Sequence, residues 1–189
     1  MIPFEKIKAE GTWTLFMDRD DTINKRLPGD YVKSWSEFEF LPRALDAIKY
    51  FSQVFNKLII VTNQQGIGKE IMTSADLEQV HSLMIDEIIT AGGFIDQIYH
   101  CPHLAIEDPL CRKPNPGMAF QAAEDFPDID FRKSVMVGDA ISDMGFGYNL
   151  GMKNVLVNRR AQQISVDQSE MVDLELASLH ELAIYLKNY

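Results

Sequence analysis

Residues 12–22 are TWTLFMDRDDT, and this stretch indicates the architecture of the whole chain. Its first half, Thr12–Met17, is short and apolar, as expected of a buried strand in a parallel sheet. Its second half places Asp18, Asp20 and Asp21 directly after that strand. Ligands of open α/β sheets bind beyond the carboxyl ends of the strands, so we expect these carboxylates to lie in a functional site.

Four further apolar runs have the same character and are separated by segments of helical period. They are Leu58–Thr62, Ile95–Tyr99, Ser134–Val137 and Asn154–Val157. Repeated alternation of strand and helix predicts an α/β protein, a three-layer α/β/α sandwich with a mainly parallel central sheet.

Capping residues mark the ends of the predicted helices. The marks are Pro42 in a first turn, Thr73 with Asp76, Asn115 before Pro116, Ser178 with Glu181, and Gly151 at a helix end. Ser, Thr and Asn satisfy the free N–H groups of a first turn, and Gly tolerates the left-handed conformation that follows many helices.

The composition is that of an ordinary globular protein. The chain has 189 residues, of which 46% are hydrophobic and 24% charged, and its length fits a single domain over residues 1–189. The formal net charge of −10 repels phosphate backbones, which argues against nucleic acid as the partner. A small phosphorylated substrate stays compatible with this charge, because it needs only a local positive site.

Nothing in the sequence indicates a membrane or secreted protein. No stretch approaches the ~20 apolar residues of a membrane helix, and the start MIPFEKIKAEGTW lacks the pattern of a signal peptide. Two cysteines argue against a disulfide framework. We therefore expect a cytoplasmic protein and, without coiled-coil heptads, a monomer.

Polar residues also follow other predicted strands. Thr62 and Asn63 end the second, Asp139 follows the fourth, and Arg112 and Lys113 precede a helix. Clustered carboxylates favour a cation such as Mg²⁺, and a carboxylate can attack phosphorus to form an aspartyl-phosphate. A second acid two residues later on an extended chain points to the same side, where it can exchange protons with substrate and water.

These residues resemble a known family. The series Asp18-x-Asp20-x-Thr22, Thr62, Lys113 and Gly138-Asp139-x-x-x-Asp143 is similar, in order, to the four motifs of the haloacid dehalogenase superfamily. The resemblance implies a Rossmann-like fold and a phosphatase. It implies a nucleophile at Asp18, a general acid/base at Asp20, and phosphoryl binding by Thr62 and Lys113. It also implies Mg²⁺ held by the side chains of Asp18 and Asp139 and the backbone carbonyl of Asp20.

A narrower resemblance concerns the substrate. The stretches FMDRDDTIN, GDYVKSWSEFEFLP, VTNQQGIGK and CPHLAIEDPLCRKPNPGM are similar to the branch of D-glycero-D-manno-heptose 1,7-bisphosphate and histidinol-phosphate phosphatases. That branch lacks a large cap domain, and it implies substrate contact by Arg112 and Asn63. The second stretch favours the heptose 7-phosphatase. Histidinol phosphate or another small ester stays an alternative, as does a receiver-like phosphate-binding module, against which Asp20 argues.

The branch also carries a zinc loop, which here corresponds to residues 100–112. Cys101, His103 and Cys111 match its ligands, while Pro109 replaces the remaining cysteine. Structural zinc needs four ligands, so three readings stay open: zinc completed by water or another residue, a loop without metal, or a disulfide. Two other departures are Asp21 and Glu70, which stand where the branch usually has glycine.

Overall fold

The chain folds around one six-stranded sheet. The computed structural model describes residues 4–159 and 163–188. The strands are β1 (Thr14–Met17), β2 (Lys57–Asn63), β3 (Gln97–Cys101), β4 (Ser134–Gly138), β5 (Lys153–Val157) and β6 (Leu174–Leu176). Every neighbouring pair is parallel, in the order β3-β2-β1-β4-β5-β6. The predicted α/β class with a parallel sheet is confirmed.

Helices cover both faces of this sheet. They are α1 (Phe4–Glu10), α2 (Ala44–Val54), α3 (Ser74–Thr90), α4 (Gly117–Asp125), α5 (Ile141–Leu150), α6 (Val166–Ser169) and α7 (Leu179–Lys187). Among the described residues, no helix is long and apolar enough to cross a bilayer.

Alternate strand residues build two separate cores. Leu15 and Met17 face one core, which α2, α3 and α7 complete. Phe16 and Met136 face the other core, which α4 and α5 complete. Each fully buried side chain of this size contributes about 1.5–3 kcal/mol relative to exposure, so both faces hold the central strands in place. This packing fixes the strand ends that carry the polar residues.

The predicted helix ends agree with the structure in part. The Oγ1 of Thr73 accepts the Asp76 N–H at 3.1 Å while Asp76 accepts the Thr73 N–H at 2.8 Å, the reciprocal cap expected for α3. Gly151 ends α5 with φ 73°. However, α2 begins only after Arg43, whose φ of 61° places the preceding Pro42 outside the helix.

Two other starts also differ from expectation. Pro116, not Asn115, caps α4, while the Asn115 amide donates to Asp108 and to the Pro109 carbonyl in the preceding loop. Ser178 caps α7 as predicted, but the Glu181 carboxylate accepts from Ala177 N–H and not from Ser178. In both cases the side chain forms a hydrogen bond with the loop before the helix.

The segment between β1 and α2 packs against the sheet. Trp35 stacks on Phe38 with ring centroids 4.9 Å apart, and Phe40 meets Phe38 edge-on at 4.9 Å. These rings lie against the core on the α2 side. The described segment therefore forms no cap domain, in agreement with the resemblance.

Candidate active site

The carboxyl ends of β1, β2 and β4 meet around a cavity of about 250 Å³. Its lining includes the residues predicted for catalysis, phosphate binding and Mg²⁺: Asp18, Asp20, Thr62, Asn63, Arg112, Lys113 and Asp139. Asp143 also lines it. The ends of strands far apart in sequence, together with the loop before α4, thus bring the predicted polar residues together.

Lys113 connects two carboxylates that line this cavity. Its Nζ lies 2.7 Å from Asp18 Oδ1 and 2.6 Å from Asp143 Oδ1, and it donates to the Val61 carbonyl at 2.7 Å. Lys113 is 3% exposed and Asp143 1%. Burial lowers the pKa of Lys113, but the two carboxylates outweigh burial and raise it above its usual value. The ammonium therefore stays charged, and it neutralises part of the acidic cluster.

A glycine at the end of β4 makes room for this arrangement. A Cβ on Gly138 would overlap the Asp143 carboxylate, so no larger residue fits at this position. The Asp143 Oδ2 accepts the Ala140 N–H at 3.0 Å at the start of α5. On the neighbouring strand the Asp18 N–H donates to the Val137 carbonyl at 2.9 Å. The β1–β4 pairing thus sets Asp18 beside Asp139 and Asp143.

Asp18, Asp139 and Asp143 form a group that fits a divalent cation. One carboxylate oxygen of each lies within 4.8 Å of the others. Burial, with the charges of Asp143 and Asp20, raises the pKa of Asp18 to about 7 against the opposing effect of Lys113. Burial and the nearby Asp18, Asp143 and Asp21 raise the pKa of Asp139 to about 8. Carboxylates that repel one another in this way favour a hard cation with oxygen ligands, such as Mg²⁺.

Asp20 lies in the same cavity, and three neighbouring side chains donate hydrogen bonds to its carboxylate. Arg19 Nη2 donates to both of its oxygens at 2.9 Å, Asn24 Nδ2 donates to Oδ1 at 3.0 Å, and Gln64 Nε2 donates to Oδ2 at 2.8 Å. Burial raises the pKa of Asp20, but Arg19 and the amide donors outweigh burial and bring it below its usual value. In the absence of substrate, Asp20 is therefore an ionised carboxylate with a fixed orientation.

The sequence reasoning missed the donors that orient Asp20. Arg19 lies inside the first motif and Gln64 directly follows Thr62-Asn63. The Gln64 amide also donates to Thr62 Oγ1 at 2.9 Å, which links the second motif to the first. Their position inside the motif stretches was the one available signal.

Asn63 and Arg112 have different surroundings in the cavity. Asn63 Oδ1 accepts the Lys113 N–H at 3.0 Å and its Nδ2 donates to the Lys113 carbonyl at 3.2 Å, so its amide fixes the lysine backbone. The Arg112 Nη1 is buried and has no hydrogen-bond partner within the described residues. An unpaired guanidinium donor beside the cavity fits an anionic ligand.

Asp21 and Glu70, the two departures from glycine, both have left-handed backbones. Their φ values are 59° and 56°. Only glycine adopts this region without cost, which explains the glycine usual at both positions. Contacts of the Asp21 side chain offset the cost of this backbone conformation. Its Oδ1 accepts the Arg26 N–H at 3.2 Å and lies 3.5 Å from Nη1 of Arg159.

The structure corrects the zinc prediction for residues 100–112. Cys101 and Cys111 are joined by a disulfide, and His103 Nδ1 faces Glu107 Oε2 at 3.6 Å. Zinc binds thiolates, and the sulfurs of a disulfide are no longer thiolates, so the set Cys101, His103 and Cys111 does not form a metal site. The disulfide, the third of the three readings, ties the end of β3 to the residue before Arg112.

Comparisons with known proteins identify relatives of this chain. The family described as "HAD-hyrolase-like" matches residues 110–171. A D-glycero-alpha-D-manno-heptose-1,7-bisphosphate 7-phosphatase of Mycobacterium bovis is 36% identical over 143 residues, covering 76% of this chain and 75% of that protein. A D-glycero-beta-D-manno-heptose-1,7-bisphosphate 7-phosphatase of Salmonella typhi is 35% identical, covering 95% and 97%.

A solved structure has the same fold. It is the D,D-heptose 1,7-bisphosphate phosphatase of B. bronchiseptica complexed with magnesium and phosphate, with a TM-score of 0.82 and 28% identity over 93% of this chain and 98% of that one. The fold, the motif residues and the identity over most of both chains lead to one assignment: this chain belongs to the haloacid dehalogenase-like hydrolase family, among the relatives of the heptose-1,7-bisphosphate 7-phosphatases.

Proposed function

We propose that this protein is a Mg²⁺-dependent phosphatase that removes the 7-phosphate of D-glycero-D-manno-heptose 1,7-bisphosphate. The observation that carries the proposal is that Asp18 and Asp20 share one cavity with Lys113 and Asp139. The named relatives, whose similarity covers most of the chain, support the choice of substrate.

In the first step, Asp18 acts as the nucleophile. Its free carboxylate oxygen attacks phosphorus, the bond between phosphorus and the sugar oxygen breaks, and an aspartyl-phosphate forms. Asp20, ionised in the free enzyme, takes up a proton as substrate binds, because the like charge of the phosphoryl anion raises the pKa of its carboxyl group. It then gives this proton to the departing sugar oxygen.

In the second step, Asp20 acts as a base. It takes a proton from water, and the resulting hydroxide attacks phosphorus, which releases inorganic phosphate and restores Asp18. The donors from Arg19, Asn24 and Gln64 suit this step, since they stabilise the ionised carboxylate that receives the proton. A receiver module needs only the phosphate acceptor, so an oriented acid two residues later supports a hydrolase.

The remaining residues bind the charge of the phosphoryl group. Lys113 and the Thr62 hydroxyl lie at the cavity, and the unpaired Arg112 Nη1 supplies a further donor for the sugar or its phosphate. Mg²⁺, when bound, adds positive charge at the phosphoryl oxygens. We propose that the side chains of Asp18 and Asp139 and the backbone carbonyl of Asp20 hold it, as the motif resemblance implies.

The test is phosphate release from a panel of sugar and amino-alcohol phosphates, with Mg²⁺ and with chelator. We expect Mg²⁺-dependent release that is fastest on heptose 1,7-bisphosphate. A maximum on histidinol phosphate would keep the mechanism and change the substrate, while no release from any ester would refute the phosphatase proposal.

The matched variant is Asp18→Asn, which replaces one carboxylate oxygen by an amide nitrogen and keeps the shape of the side chain. We expect turnover to fall by at least about 1000-fold with unchanged circular dichroism, because the amide is not a nucleophile. Turnover near the wild-type rate would refute the nucleophile assignment.

A further inference from the structure

Arg19 is a charged side chain with no access to solvent. It is 0% exposed, and it is the largest of the fully buried side chains. Its Nε and Nη2 face the Asp20 carboxylate, with Nη2 at 2.9 Å from both oxygens. Its remaining nitrogen, Nη1, lies 3.1 Å from Nε2 of His81 in α3. A helix far away in sequence therefore supplies a partner for the arginine that holds the predicted acid/base.

The direction of the hydrogen bond between Arg19 and His81 is fixed by chemistry. A guanidinium carries donors only and stays charged in proteins. His81 Nε2 must therefore accept, which leaves the ring proton on Nδ1 and the imidazole neutral. Burial and the charge of Arg19 act in the same sense and lower the pKa of His81 to about 3. His81 is 9% exposed, and His100 is its ring neighbour at 6.3 Å.

We propose that His81 is a positioning residue for catalysis. As a neutral acceptor it holds the Arg19 guanidinium in its two-oxygen contact with the Asp20 carboxylate, and so keeps Asp20 directed at the substrate. This inference rests on the proposed function, in which Asp20 exchanges protons with the leaving sugar and with water. It assigns a role to a residue of α3 that lies outside all four motifs.

The expected effect follows from what happens when the acceptor is lost. Without His81, Nη1 of Arg19 has no hydrogen-bond partner among the residues that the structure describes, so the guanidinium turns toward other acceptors and its two-oxygen contact with Asp20 weakens. Asn24 and Gln64 still donate to Asp20, so the carboxylate loses orientation but stays in the site. General acid–base catalysis is worth about 100- to 10000-fold, and we expect part of it, about 10- to 100-fold, to be lost.

The test compares His81→Leu, which removes the acceptor, with His81→Gln, whose Oε1 can replace Nε2. The control is His100→Gln, which removes the neighbouring imidazole without touching Arg19. On the sugar bisphosphate, His81→Leu should lower kcat about 10- to 100-fold with KM within about twofold, since orientation of the acid does not change substrate binding. His81→Gln should recover most of kcat, and His100→Gln should match wild type.

A second substrate separates the two chemical steps. The leaving group of 4-nitrophenyl phosphate departs without a proton, so in His81→Leu the aspartyl-phosphate should form at once and hydrolyse slowly. This predicts a burst of nitrophenolate close to one equivalent of enzyme, followed by slow turnover. A raised KM with unchanged kcat, no burst, or equal losses in His81→Leu, His81→Gln and His100→Gln would overturn the proposal.

One measurement is independent of turnover. The side-chain ¹⁵N resonances of His81 in the folded protein report which ring nitrogen carries the proton. We expect an unprotonated Nε2, and a protonated Nε2 would overturn the inference even in an inactive protein. If wild type hydrolyses no ester but Nε2 is unprotonated, the proposed function fails while the Arg19–His81 contact stands.

Discussion

Binding of Mg²⁺ should compete with protons, because the proposed ligands hold protons near neutral pH. The pKa of Asp18 is raised to about 7 and that of Asp139 to about 8 when no cation is present. Mg²⁺ binds the ionised carboxylates, so each proton must leave before or during binding. Lowering the pH from 8 to 6 protonates both groups and should weaken the affinity.

The size of the effect follows from these two pKa values. Between pH 8 and pH 6 the proton on Asp18 alone weakens Mg²⁺ binding about 10-fold, and independent titration of Asp139 adds about 50-fold. The two carboxylates are neighbours and share their repulsion, so the expected change lies between about 10-fold and about 500-fold. The sign is fixed in every case: affinity falls as pH falls.

Isothermal titration calorimetry at pH 6, 7 and 8 measures this dependence. Repeating each titration in two buffers of different ionisation enthalpy counts the protons released, and we expect a clear release at pH 7. Asp18→Asn removes one titrating group and one like charge, so its pH dependence should be shallower. An affinity that is constant from pH 6 to 8, with no proton release, would refute the reasoning.

Three further outcomes are expected. Replacing both Cys101 and Cys111 by alanine should lower the free energy of unfolding by about 2–3 kcal/mol, measured with denaturant, since their bond closes a loop of sequence separation 10; an unchanged midpoint would contradict the disulfide. Gly138→Ala should cost about 1–3 kcal/mol and most of the activity, since the new Cβ overlaps a carboxylate of the site; wild-type kinetics would contradict this packing. Glu70→Gly should raise the free energy of unfolding by up to about 1 kcal/mol, because it removes left-handed backbone strain. Its control, Glu78→Gly within α3, should lower the free energy of unfolding by about 1 kcal/mol. Equal effects of both changes would refute the backbone argument.

The central strands could be predicted because their sequence pattern and their environment agree. β1, β2, β4 and β5 are apolar on both faces, and such runs are buried in a parallel sheet. β6 was missed because it has three residues and none of them is fully buried. A strand at the edge of a sheet depends on its neighbour for stability, and the residues of the strand itself do not show which neighbour that is.

The acidic centre could be predicted from strand ends, but its internal pairing could not. Asp18 and Asp139 directly follow the buried strands β1 and β4, and the parallel pairing of these strands brings their ends together. Lys113 lies in the loop before α4, and only the motif resemblance placed it with them. Whether Lys113 binds one carboxylate or two depends on side-chain packing, which places Asp143 Oδ1 2.6 Å from Lys113 Nζ. The choice among zinc, a metal-free loop and a disulfide stayed open for a related reason: three matching ligands are visible in the sequence, while the approach of two sulfurs is not.

Local information in the chain therefore decides the strand–helix order and the acidic strand ends. Short-range rules of burial, period and capping are enough for these features. The tertiary structure decides which distant groups face one another: His81 with Arg19, Asp143 with Lys113, and Cys101 with Cys111. Contacts between side chains far apart in sequence depend on how helices pack on the sheet, because only that packing brings such groups within bonding distance.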